Sequence, residues 1–275
     1  MSKQKRIKKE DLDLLVYNSA NNHSKFIDGC TDMHLWNKFS NNNWETILLN
    51  DRDEDYCNIC DEYKGFELLN SSNLEKLLLT TDRKKFYKYF DKYDSWKMIF
   101  GNSWINLIRS DESFFKECED HEGFINFDQF DWAELAVMDS KYIELLNKYD
   151  VWNKFNGYSW ADLLIAYPYM IKDDEKYSIT KKINEYGKFL WFKLLMFNSN
   201  YIKYCNQYNA WESFFKEYWV EILIKYPELI NKCKIMNEFS ESDWNRIIKY
   251  QPTLARKYAL HHNFRVNRTE TNKNN

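Results

Sequence analysis

The apolar positions of this chain recur in a fixed register. Two bulky apolar residues stand eight positions apart, and the pair returns about every 28 residues. The pairs are Trp36/Trp44, Phe66/Leu74, Trp96/Trp104, Phe124/Trp132, Trp152/Trp160, Ile183/Trp191, Trp211/Trp219 and Met236/Trp244. Three residues after each first member comes Phe39, Leu69, Ile99, Phe127, Phe155, Tyr186, Phe214 or Phe239. Three and four residues after the second come aliphatic pairs such as Leu163/Leu164, Leu194/Leu195, Ile222/Leu223 and Ile247/Ile248. Pro168, Pro227 and Pro252 follow eight residues after a second tryptophan, with Met170, Leu229 and Leu254 two further on. A last slot, six before the first member, holds Cys30, Cys60, Phe90, Cys118, Leu146, Tyr177 and Cys205. Cys233 fills it with three residues deleted before Met236, and Tyr258 fills it after the final repeat.

This spacing predicts two short helices per unit. The residue before the second tryptophan is Asn43, Asn73, Ser103, Asp131, Ser159 or Asp243 in most units. Such side chains accept from free amides, which predicts a helix N-cap there and a loop before it, as in Asn41–Asn43, Gly101–Ser103 and Asn156–Ser159. Trp160, Leu163, Leu164 and Tyr167 then fall on one helical face. Proline ends that helix and opens the next, which is expected to run on through Trp211 to Phe214. Lys172 to Lys176 reads as a loop insertion, and Leu14/Leu15, Phe26/Ile27 and Cys30 as an N-terminal half repeat.

Helices this short are marginal alone and bury their apolar faces only by stacking on neighbours. The expected fold class is therefore all-α: a right-handed α-solenoid of about eight two-helix repeats of about 28 residues, plus the half repeat. Residues 11–258 would form one repeat domain, between a basic N-terminal tail (1–10) and a basic, disordered C-terminal tail (259–275). The pattern C-x5-W-x2-F-x4-W-x2-LL-x2-Y-P-x-L-x3-C, carried by Trp152 to Met170, Trp211 to Cys233 and Phe239 to Leu254, resembles tandem short helical repeats of uncharacterised, often bacterial, proteins. The resemblance spans roughly residues 30–258 and is looser from Phe66 to Phe90, where both tryptophans are missing. It implies an architecture and carries no activity.

Six glycines and three prolines leave little room for a β-rich fold with many tight turns. There is no run of 18 apolar residues for a membrane span, and no apolar segment follows the basic N-terminus, so a cytoplasmic location is expected. Five of the six cysteines share one repeat slot with Phe, Leu and Tyr, which marks them as small buried apolar residues and argues against disulfides. Residues 1–10 and 256–275 each carry five Lys/Arg and one Glu. The chain is −3 overall, so residues 11–255 are near −11.

Three constellations invite chemistry. Asp51, Asp53, Asp55 and Glu62 fall at first, third, fifth and twelfth places of a calcium loop, but Tyr56 stands where the sharp turn requires glycine. The segment reads as a solvated acidic loop. Cys57-Asn58-Ile59-Cys60 is a C-x-x-C with no second ligand pair, and His261-His262 lies in the C-terminal tail. No nucleophile elbow, Walker loop or dinucleotide fingerprint is present, so no catalytic, cofactor-binding or metal residue is assigned.

What remains is a non-enzymatic binding scaffold for a protein partner, with the acidic body favouring a basic surface on that partner. An inhibitor or host-interaction factor is one version of it. The alternative is a nucleic-acid-binding protein that uses the basic termini.

Overall fold

The computed structural model describes residues 9–17, 23–51 and 54–254, which form α-helices and 3-10 turns, with no β-strand among the described residues. The chain divides into two compact units, Met1–Met138 and Asp139–Asn275. The first holds α1 (Lys9–Tyr17), α2 (His23–Asp32), α3 (Asn41–Leu49), α4 (Asp55–Glu62), α5 (Ser71–Leu78), α6 (Lys84–Lys92), α7 (Gly101–Ser110), α8 (Phe114–Asp120) and α9 (Gln129–Met138). The second holds α10 (Ile143–Lys148), α11 (Gly157–Ala166), α12 (Asp174–Tyr177), α13 (Ile179–Tyr186), α14 (Lys188–Phe197), α15 (Ile202–Gln207), α16 (Lys216–Lys225) and α17 (Glu241–Tyr250).

The eight-residue pair is a stacked pair of rings. Trp36 lies 5.8 Å from Trp44, Trp96 6.0 Å from Trp104, Trp152 5.5 Å from Trp160 and Trp211 5.6 Å from Trp219, with interplanar angles of 30° or less. The first member sits on a 3-10 turn (Trp36–Lys38, Ser95–Met98, Trp152–Lys154, Ala210–Ser213). The next apolar residue is extended, as at Phe39, Ile99 and Phe155. Phe39 and Phe155 pack edge-on against the second tryptophan of their own units, Trp44 and Trp160. All eleven tryptophans are buried, and all six cysteines are buried and free. Aliphatic pairs of the first helices, such as Ile47/Leu48, Leu163/Leu164 and Ile222/Leu223, are buried with them.

Within the first unit α1 packs on α3, α3 on α5, α5 on α7 and α7 on α9. Partners one repeat apart join these helices: Lys76 pairs with the nearly buried Glu45 at 2.8 Å, and Asn106 donates to Glu75 at 3.0 Å. Within the second unit α11 packs on α13 and α14, α14 on α16, and α16 on α17. There Lys193 pairs with Asp162 at 2.5 Å, and Arg246 with Glu221.

Several local expectations are corrected. The N-cap is three residues earlier than expected: Ser40, Asn70 and Ser240 cap α3, α5 and α17. Asn43, Asn73 and Asp243 are instead the third helical residues, accepting from the cap's own backbone N–H at 3.0, 3.0 and 2.8 Å to close capping boxes. Asn41–Asn43, Gly101–Ser103 and Gly157–Ser159 are thus first turns of helices, not loops. Only Asn156 of that last stretch stays outside, as the cap of α11. At the N-terminus Lys9 and Glu10, read as tail, open α1.

The second helix also does not run on through the first tryptophan. It stops at a left-handed residue two positions before it: His34, Lys64, Asp94, Glu122, Asp150 or Asn209. The Leu35 N–H donates to the Cys30 carbonyl (2.9 Å) and the Val151 N–H to that of Leu146 (3.1 Å), the six-to-one bond that closes a helix C-terminus. Lys172 to Lys176 is helical, in the 3-10 turn Pro168–Asp173 and α12, with Asp174 accepting from Thr180 N–H and Oγ1 at 2.7 Å. In α1 the buried pair is Leu12 and Val16, while Leu14 is exposed. Tyr186 is exposed because Ile183 sits in α13 rather than on a 3-10 turn.

Candidate interaction surface

Once tryptophans, cysteines and aliphatic pairs are buried, what is left outward is informative. On α14 and α16 the core faces are Trp191, Leu194, Leu195 and Trp219, Ile222, Leu223. Phe189 and Phe192, three residues apart, lie off that register, as do Phe215 and Tyr218. The four rings form one cluster. Phe192 stacks on Tyr218 with centroids 4.3 Å apart at 17°, Phe189 lies 5.9 Å from Tyr218, and Phe215 lies 5.8 Å from it. Phe192 also reaches the buried Phe214 at 6.3 Å, which ties the cluster to the core. Phe189 is 48% and Phe215 67% exposed. Beside α11, the exposed Tyr158 and Tyr186 meet edge-to-face at 5.7 Å.

The helix starts explain why these residues stand out. Where α3, α5, α11 and α17 have Ser or Asn at the cap, α16 has Phe215 and α7 has Phe100, neither with a side-chain cap bond. Replacing a Ser, Asn or Asp cap by an apolar residue costs about 1 kcal/mol. In the first unit Phe100, 65% exposed, is held between neighbours. Its N–H donates to Ser71 Oγ at 2.9 Å, and the adjoining Gly101 lies so close to α9 that a Cβ there would sit 2.0 Å from Asp131 Oδ2. Burial raises the Asp131 carboxyl above its ordinary value. Exposed Ile125 and Phe130 belong to the same stretch of that unit, and Asn126 Nδ2 donates to the Lys97 and Ile99 carbonyls, 3.1 Å each.

The sites weighed from sequence resolve as scaffold. Asp51 is buried and accepts from the Tyr56 and Cys57 amides at 3.2 Å, so its carboxylate is spent on the first turn of α4. Glu54 pairs with Lys88 at 2.7 Å, Asp55 lies 3.8 Å from His23, and Asp53 lies outside the described residues. Among the described residues no three His, Cys, Asp or Glu side chains are grouped to hold a metal ion. Cys57 and Cys60 are buried in α4, and burial pushes both thiols well above their ordinary range. His261, His262 and the basic stretches 1–8 and 256–275 lie outside the described residues, as does Tyr258. No described helix is long and apolar enough to cross a membrane.

Sequence reading passes over the surface aromatics because it follows the repeat. Phe100, Phe189 and Phe215 are legible as residues left over when the repeat slots are subtracted, two of them in a place that elsewhere carries Ser or Asn. A second missed signal lies five residues before the first tryptophan. Thr31, Asp91, Asn147 and Asn206 accept the indole N–H of Trp36, Trp96, Trp152 and Trp211 at 2.8–3.1 Å. The second-slot Trp104, Trp160, Trp191 and Trp244 have no such acceptor among the described residues.

Comparison with known protein families, with characterised proteins and with solved structures finds no match to this chain.

Proposed function

We propose that this chain is a non-enzymatic scaffold that recognises a protein partner through the first-helix surface. The repeats stack as a right-handed α-solenoid of about eight two-helix units and a half repeat. Three observations support the stacking: neighbouring first helices pack on one another within each unit, their bridging side chains are one repeat apart, and the same ring stack recurs unit by unit.

The single observation that carries the binding reading is the cluster Phe189, Phe192, Phe215 and Tyr218. Aromatic residues are enriched at protein interfaces, where they supply large contact area at low entropy cost. Here Phe189 and Phe215 stand exposed outside the core, Phe215 in place of a cap that would stabilise α16, and the part-buried Phe192 and Tyr218 join them to the core. The acid excess of the body favours a basic rim on the partner. An inhibitor that occludes a larger complex is one form such a scaffold takes.

The test is affinity capture of the tagged chain from its native cells after nuclease treatment, beside Phe189→Ser/Phe215→Ser. One protein captured by wild type and lost by the variant is the expected result. Capture of nuclease-sensitive material alone, or equal capture by both, overturns the reading.

A further inference from the structure

The second unit contains a groove of about 420 Å³, within the range of small-ligand and side-chain pockets, roughly 300–1,000 Å³. It lies between the turn Pro168–Asp173 and the Ser199–Tyr201 turn with α15, which are second helices of successive repeats. Tyr169, Ile171 and Tyr204 give it an apolar, aromatic lining, and Lys172 and Lys203 line it as well. Tyr201 anchors it, buried with its hydroxyl donating to the Leu164 carbonyl at 2.9 Å. Lys203 Nζ sits 4.6 Å from the centre of the Tyr204 ring.

The two lysines hold the same place in the repeat, twelve residues after Trp160 and Trp191. Both lysines line the same groove, so two ammonium groups can converge on one anion between them. Many other lysines of this unit are taken up by oxygen acceptors. Lys141, Lys181, Lys193, Lys216 and Lys234 each meet a carboxylate, and Lys182 and Lys225 reach backbone carbonyls. Among the described residues Lys172 and Lys203 meet no carboxylate, in a chain whose 42 acidic side chains outnumber its 39 Lys and Arg. The groove lining thus carries two cations and no acidic side chain. Two cations with flanking tyrosines suit a carboxylate next to an apolar group, while nucleic acid would require a longer track of positive charge.

We propose that this groove binds an acidic peptide segment of the partner, with one carboxylate between Lys172 and Lys203 and an aromatic or aliphatic neighbour against Tyr169 and Tyr204. The proposal rests on the scaffold reading and names one contact of that partner. It is tested by fluorescence anisotropy of the full chain at low salt with a dye-labelled Glu-Glu-Tyr-Glu-Glu peptide. The expected result is saturable binding that Lys172→Ala/Lys203→Ala weakens at least about tenfold, that Lys172→Arg/Lys203→Arg keeps within about threefold, and that rising salt weakens. Phe189→Ser/Phe215→Ser, which tests the scaffold surface on α14 and α16, leaves peptide binding unchanged, so the two readings fail separately. Absence of saturation, equal binding by the alanine variant, or displacement by inorganic phosphate at the same concentration as by unlabelled peptide overturns the proposal; the last outcome would make it a free-anion site.

Discussion

The second helices of the two units meet their neighbours in different ways. In the first unit they do so largely through charge, with Lys85 and Tyr93 also donating to the Asp51 and Asp61 carbonyls. Lys88 pairs with Glu54, Lys92 with Asp61 at 2.6 Å and Arg83 with Asp111 at 2.5 Å, and Tyr89 donates to Asn58 at 2.9 Å. In the second unit the row opens on Pro168 and Pro227, and Tyr201 of that row, with Tyr226 and Gln251 at the ends of the first helices α16 and α17, donates to first-helix carbonyls of the preceding repeat. Tyr201 reaches the Leu164 carbonyl, Tyr226 that of Leu195 at 3.0 Å and Gln251 that of Ile224 at 2.8 Å. One register therefore accepts two kinds of fastening. On the second unit's row Lys172 and Lys203 meet no carboxylate among the described residues and are left for another ligand.

What the units share should respond alike. Trp104→Ala in the first and Trp219→Ala in the second each remove a fully buried, stacked indole and should cost about 3–5 kcal/mol in urea unfolding. A loss below about 1 kcal/mol in either would mean that its ring stack is not part of the core.

The next contrast lies under the rings. The residue before the first bulky position is Leu35, Gly65, Ser95 and Gly123 in the first unit and Val151, Lys182, Ala210 and Ile235 in the second, so glycine stands there in the first unit alone. A Cβ at Gly123 would lie 2.5 Å from Trp104 Nε1 and 2.8 Å from Cys118 Sγ, and one at Gly65 2.6 Å from the Trp44 ring. Gly123→Ala should therefore destabilise by about 1–3 kcal/mol through overpacking, whereas Ala210→Gly should lose nearer 1 kcal/mol. Equal effects in melting experiments would erase this difference between the units.

Charge should separate them least. Lys92→Met removes a half-exposed pair and should shift stability by less than about 1 kcal/mol. Its pH dependence is more telling. The Lys92 hydrogen bond holds the Asp61 carboxyl below its ordinary value, and the Ser113 amide with Arg83 holds Asp111 at about 2. A depressed carboxylate stabilises the fold above its unfolded pKa and loses that contribution as pH falls toward the folded one. The difference between wild type and Lys92→Met should be present above about pH 4 and disappear in more acid solution. A difference that grows on acidification would contradict the pairing.

The buried thiols offer a check common to both units. Burial pushes Cys30, Cys205 and Cys233 up to about 12, so thiolate is scarce at neutral pH. A thiol reagent at pH 8 should leave the native cysteines unmodified and react with all of them in denaturant. Fast reaction in the native state would place a cysteine outside the core.

The core was legible because a fixed register exposes it: every tryptophan and every cysteine that the repeat marks as apolar is buried. The helix boundaries were harder for identifiable reasons. Asn43, Asn73 and Asp243 carry cap-type side chains but bond backwards to the cap, and only the residue three places earlier reveals the box. The left-handed stops at Lys64, Asp94 and Glu122 carry no glycine, so nothing in their composition announces the break. The surface cluster was hidden differently. Phe189 and Phe215 are ordinary apolar residues until the packing shows that the core does not take them. The groove could not be read at all, since it depends on which lysines find carboxylates once neighbouring repeats are in place.

Two kinds of aromatic residue are thus set apart, those that build the fold and those that it does not need. Phe215 tests the division most directly, because it stands at a helix cap where Ser would serve the fold better. The decisive measurement is the urea midpoint of Phe215→Ser beside wild type. If the ring is there for a partner, the variant is at least as stable as wild type and gains up to about 1 kcal/mol from the new cap. A loss of about 1 kcal/mol or more would place Phe215 among the residues that hold the fold, and would remove the ground for reading this cluster as a binding surface.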